Sequence, residues 1–328
     1  MSEIKKRLEF VDIAKGIGIM LVCFGHSGAE DAIISWIGGF IVPLFFILSG
    51  YMYRDKGISL KADFWNKTRK LLKPYLFFSV VLLIIYKRFA WNDIIGVFYS
   101  RYCLYPFHSP GNIFFMQATN SPMWFLTAML AAYPFFYIIM RNERYAHWIV
   151  LSYLGVTWGC TFLPILLPWS LDIVPLMAGY MYLGVLLRRQ KDLFSKPVWV
   201  YWLILIAFII LCPLNAKPNP SIRDFGNIFF VYVITGLMGT LSMMWISRHL
   251  EGKCLSGLLA DIGRHTLVIF CLQIYIFHLL NRVFYGTLHL PATGFWLYTV
   301  STFKVIAASI ICMYISKIMM KYMPWLFK

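Results

Sequence analysis

The chain has 328 residues, 60% of them hydrophobic and only 13% charged, against about 25% charged in soluble domains. A soluble enzyme has no means of burying the many apolar runs of spanning length that follow from this composition. The formal charge of +16 is distributed in a way that argues against nucleic acid as a partner. The seven cysteines lie mostly in apolar segments without a C-x-x-C pair, which argues against a metal centre or a disulfide framework.

The fold class this predicts is all-α, a polytopic membrane protein with about ten transmembrane helices. In chain order the spans fall near 10–27, 33–53, 71–88, 121–140, 146–163, 173–188, 198–213, 226–247, 263–282 and 294–316. The third and seventh are the weakest, because Pro74 and Pro213 crowd their ends. With the N-terminus inside, 22 Lys and Arg fall on the cytoplasmic side and six on the other, while Lys15 and Lys304 lie within spans. That asymmetry fits an even number of spans with both termini cytoplasmic. The first apolar run carries charges and lacks a small-residue cleavage site, so no removable leader is expected. One integral-membrane domain over residues 1–328, without an appended soluble domain, is the organisation expected.

The first span, FVDIAKGIGIMLVCFGH, carries Lys15 and His26 with ten residues between them. Eleven helical steps advance about 16 Å and rotate by three turns plus roughly 20°, which puts both on one stripe. Ionisable groups at membrane depth usually face a protein-lined cavity, so the pair marks a path; the alternative is a snorkelling lysine and a helix-ending histidine. Asp12, one turn before Lys15, is placed to offset its charge.

Two loops stand out. Residues 54–73 face inward and end in the basic run Lys67, Arg69, Lys70, Lys73 before Pro74. Arg69 and Lys73 are helical neighbours, and such a cluster suits either the phosphates of a nucleotide cofactor or lipid headgroups. Residues 89–120 form the longest connection and are rich in aromatics: Trp91, Tyr99, Tyr102, Tyr105 and Phe107. Those rings serve equally to stack on sugars or to sit at headgroup depth.

Phosphate-binding, nucleophile-elbow, zincin and dinucleotide motifs are all missing from the sequence. What remains is an ordered set of patterns: RLEFVDIAKGIGIMLVCFGH, IVPLFFILSGYMYR, KTRKLLKPYL, SPMWFLTAML, LDIVPLMAGYMYLGVLLR and LADIGRHTLVIFCLQ. In these the chain resembles acyltransferase family 3, the multi-span membrane acyltransferases, and most closely the fucose 4-O-acetylase-like branch. The resemblance runs from about Arg7 to Gln273. It implies a multi-pass protein of the bacterial cytoplasmic (inner) membrane. Such a protein moves an acyl group, usually acetyl, from cytoplasmic acyl-CoA to a hydroxyl of a glycan or another acceptor outside the cytoplasm.

By the same resemblance His26 matches the family's essential histidine and Lys15 its basic partner. Arg69 and Lys73, with Lys70 beside them, fall in its basic motif, and Ser49-Gly50-Tyr51 match its S-G-[FY] element. The catalytic set expected is thus His26, Lys15 and Asp12, with Arg69, Lys73 and Lys70 on the donor. Ser49, Tyr51, Trp124 and Asp172 are candidates for substrate contact, although Trp124 also suits an interface anchor and Asp172 a helix cap. His26 is expected to act as general base or as acyl carrier. Two departures from the family pattern are expected: Gln273 stands where a late histidine is often found, with His278 five residues on taking no role, and the appended periplasmic hydrolase-like domain that some members carry is not expected.

The partners implied are acyl-CoA (acetyl-CoA above all), a glycan acceptor and the lipid bilayer, with separate polysaccharide-assembly proteins as a further option. No permanently bound cofactor, metal or nucleic acid is expected. The competing class is a transporter or flippase for a small anion or lipid-linked sugar. It is compatible with intramembrane charge and many spans, but no internal repeat relates the two halves.

Overall fold

The computed structural model describes residues 8–29, 33–55, 57–106, 111–115, 121–190 and 192–328. Those residues contain no strand, only two isolated bridges (Cys103 with Phe114, Asn219 with Asp224). The α-helices are α1 (Glu9–Phe24), α2 (Ile34–Tyr51), α3 (Leu60–Tyr86), α4 (Trp91–Tyr99), α5 (Trp124–Arg141) and α6 (Ala146–Cys160). They continue as α7 (Val174–Arg189), α8 (Val198–Leu214), α9 (Phe229–Leu250), α10 (Ser256–Arg264), α11 (Thr266–Asn281) and α12 (Gly294–Tyr322). The all-α reading agrees with this.

Among the described residues, six helical segments are long and apolar enough to cross a membrane: Ile34–Tyr51, Trp124–Arg141, Pro168–Arg189, Phe229–Leu250, Thr266–Thr287 and Gly294–Tyr322. Apolar side chains such as Ile84, Trp202, Leu203, Ile210, Phe303 and Ile318 are about half exposed or more. Water would not tolerate that surface, but lipid matches it. The other expected spans also appear as helices, but α1 and α6 have only 16 and 15 residues, shorter than the roughly 20 that a full crossing needs.

Some boundaries differ from the sequence reading for local reasons. The third span begins near 60 rather than 71, because Ser59 caps the helix by accepting from the Ala62 amide at 3.2 Å. The helix then runs through Pro74. The span expected from 263 is broken at His265, which leaves helical geometry (φ −109°, ψ 14°). Its Nδ1 lies 2.8 Å from Ser316 Oγ, anchoring the break to α12. α4 is a short helix within the aromatic loop, with Trp91 and Phe98 both strongly exposed on its outer face.

Small residues bring the helices together. A Cβ at Gly16 would overlap the Leu259 carbonyl, and one at Gly263 the Asp12 carbonyl, so α1 and α10 meet backbone to backbone. Gly50 and Gly184 do the same for α2 and α7. At one end of the bundle Glu251 accepts from the Phe10 amide (2.7 Å), Arg188 donates to the Tyr51 carbonyl (2.8 Å) and Arg189 forks onto Glu143 (2.7 and 3.1 Å). At the other end Arg101 and Arg223 share the buried Asp172 carboxylate at 2.9 and 3.0 Å. Burial lowers the Arg101 guanidinium from its usual range, and Asp172 opposes the shift. This ion cluster ties together the segments that follow α4, α6 and α8.

Candidate active site

α1 lies against α2, α9, α10 and α12, and two cavities open along it, one near each end. The first, of about 370 Å³, is lined by Lys15 of α1, Ser49 of α2, Lys67 and Lys70 of α3, Tyr133 of α5 and Thr266 of α11. Ser49 Oγ and the Tyr133 hydroxyl are 3.1 Å apart, and the Lys67 amine stands 4.8 Å from the Tyr133 ring centroid. Three amines and no carboxylate line this space among the described residues. That donor set suits a phosphorylated ligand.

The second cavity, of about 410 Å³, holds His26 together with Tyr102, Trp124, Lys217, Asn219 and Ser221. α1 ends at Phe24, so His26 is not on the helical stripe itself but in the turn that follows, its amide donating to Cys23 O at 3.1 Å. The next residue is held firmly. Ser27 O accepts from Lys304 Nζ at 2.5 Å and from Ser301 Oγ at 3.2 Å, and the same lysine donates to Asn281 Oδ1 at 2.9 Å. Lys304 is only 2% exposed, and its bond to Ser27 O pins the turn carrying His26. The far wall, residues 217–222, presses on α2 at Gly38, where a Cβ would overlap the Pro218 carbonyl.

Lys15 and His26 therefore face different cavities. Phe45, Phe125 and Phe270 line both. Phe125 is central, its ring centroid 5.7 Å from that of Phe45 and 5.4 Å from that of Phe270.

The other expected site residues divide. Ser49, Lys70 and Trp124 line a cavity. Asp12 is buried and its carboxylate lies 3.5 Å from Arg264 Nε on α10, so that helix shares whatever offset it provides. Tyr51 lines neither cavity and packs edge-on against Phe10 at 5.8 Å. Asp172 also lines neither, being fully buried in the two-arginine cluster. Arg69 is exposed and lines neither, and Lys73 reaches the carbonyls of Trp325 and Lys328 at 3.3 and 3.4 Å. Helix rotation explains the exchange: Lys67, Lys70 and Leu71 share one face of α3, while Arg69 and Lys73 share another.

Tyr133, Lys217 and the three phenylalanines carried no expectation as site residues. Lys67 was visible as part of the basic run, and Tyr102 as one of the loop aromatics. Phe107 of that loop lies outside the described residues. Gln273 is fully buried, and its amide makes no hydrogen bond to the described residues. His278 meets Tyr86 edge-on at 5.9 Å.

A family model described as an acyltransferase domain, that of acyltransferase family 3, matches residues 8–315. Comparison with curated proteins and with solved structures finds no match. The match spans nearly all the helices and both cavities, and it agrees with the apolar, membrane-crossing character of the fold. The chain is an integral membrane protein that belongs to acyltransferase family 3.

Proposed function

We propose that the protein transfers an acyl group, acetyl foremost, from cytoplasmic acyl-CoA to a hydroxyl of a glycan outside the cytoplasm. The observation that carries this reading is the division of Lys15 and His26 between two cavities that share one wall. The Lys15 cavity is the donor half. Its amines Lys15, Lys67 and Lys70 suit the phosphates of CoA, and the excess of basic residues at its end of the bundle supports a cytoplasmic orientation for that end. A pantetheine arm is of the same order of length as the roughly 16 Å that separates residues eleven steps apart on a helix.

The His26 cavity is the acceptor half. Tyr102 and Trp124 offer ring faces to a sugar, and Asn219 and Ser221 offer hydrogen-bonding groups to its hydroxyls. His26 takes the proton of the acceptor hydroxyl as its oxygen bonds to the thioester carbonyl carbon. The carbon–sulfur bond breaks, and the proton passes to the departing CoA sulfur. Lys304, through Ser27, keeps the imidazole turn in place. A ten-span arrangement with both termini cytoplasmic, in a bacterial inner membrane, completes the proposal. The fucose 4-O-acetylase-like branch supplies the acceptor class.

The test is acetyl transfer from radiolabelled acetyl-CoA to an oligosaccharide acceptor by the purified protein in proteoliposomes. His26→Ala should abolish transfer while the protein inserts and binds CoA normally. Near-parental transfer by inserted His26→Ala protein would remove the histidine from the chemistry.

A further inference from the structure

Each of three sequence patterns contributes one ring to the wall between the cavities: Phe45 from PLFFILSGY, Phe125 from SPMWFL and Phe270 from LVIFCLQ. Centroid separations of 5.7 and 5.4 Å put Phe45 and Phe270 in contact with Phe125 from either side. Phe45 and Phe270 are only partly buried, because each presents a face to open space on both sides. Phe46 and Phe136, by contrast, are fully buried and line neither cavity.

The ring of Phe45 also has a defined resting place. A Cβ added at Gly18 would stand 3.3 Å from Phe45 Cζ and 2.9 Å from Leu44 Cδ2. Gly18 lies on α1 between Lys15 and the turn that carries His26, so the missing side chain leaves room for the ring tip against that helix.

We infer that Phe45, Phe125 and Phe270 form a dry septum that closes the donor half from the acceptor half and selects the acyl group by length. The inference rests on the transfer reading above. An acyl group carried by a thioester in the Lys15 cavity meets these rings before it meets anything in the His26 cavity. Rings swing aside by rotamer change, and the space they release sets how long a chain can pass. With no acyl group present, the same rings leave an apolar constriction that water and ions do not cross, as in channels gated by dewetting.

Two measurements on the full-length protein decide this. The first reads proton leak in proteoliposomes with an enclosed pH-sensitive dye and no acyl donor. The parent should be tight, and the Phe45→Ala/Phe270→Ala double variant should leak at least tenfold faster. The second compares turnover of acetyl-CoA with that of octanoyl-CoA. Phe270→Ala and the milder Phe270→Leu should raise the octanoyl-to-acetyl ratio, the former at least tenfold, and Gly18→Ala should lower it by crowding Phe45. A tight double variant, or ratios within twofold of the parent, overturns the septum. A parent that turns over no acyl-CoA sinks the transfer reading instead, and the leak measurement then decides by itself whether the barrier exists.

Discussion

Lys67→Met removes one amine from the donor cavity while keeping an unbranched apolar stem. In the parent that amine sits 4.8 Å from the Tyr133 ring centroid and lines the same space as Lys15 and Lys70. A charge-assisted hydrogen bond to phosphate contributes about 1.5–3 kcal/mol. At about 1.4 kcal/mol per factor of ten, its loss weakens binding roughly 10- to 150-fold. Removing one of three neighbouring amines also relieves like-charge repulsion in the empty cavity, so the lower part of that range is expected. The assay is equilibrium binding of a non-transferable acyl-CoA analogue to detergent-purified protein at low and raised salt. The parent's advantage should shrink as salt screens the contact. Arg69→Met is the matched control: it removes a cation two residues away that lines neither cavity, and should change affinity less than twofold. If Lys67→Met binds like the parent, or Arg69→Met is the more damaged of the two, the assignment of the donor phosphates to this face of α3 is wrong.

Lys15→Arg should retain reduced activity and Lys15→Met almost none, assayed at saturating acyl-CoA with insertion verified; full turnover by the methionine variant shows that charge there is dispensable. Lys304→Met should lower turnover at least tenfold with donor affinity unchanged, because it loosens Ser27 without touching the Lys15 cavity; an equal loss in donor binding would point to general disruption. Asp172→Asn takes the shared charge from two buried guanidiniums, which costs about 3–5 kcal/mol for a broken buried pair. It should lower the thermal unfolding temperature in detergent clearly, and an unchanged melting profile would contradict the clasp.

Composition alone established the class, since chain that cannot be buried in water must meet lipid. Residue order alone also named Lys15 and His26, because ionisable groups inside apolar runs are rare enough to notice. It could not say which cations of the basic run face inward. Each residue turns a helix by 100°, so Lys67 and Lys70 become cavity residues, and Arg69 and Lys73 do not, only once α3 has packed. Its phase is set by buried contacts such as the Asp63 carboxylate accepting from Tyr137 at 2.6 Å.

Asp172 read as a candidate substrate contact or a helix cap; its partners, Arg101 and Arg223, lie 71 and 51 residues away. Lys304 read only as a charge within a span, and its bond to the His26 turn depends on a carbonyl 277 residues distant. The three phenylalanines are the clearest case. Hydrophobicity is non-directional, so among 28 phenylalanines nothing local separates a core ring from a ring between two cavities. Only the meeting of α2, α5 and α11 makes that distinction, because a wall is a property of the spaces on either side of it.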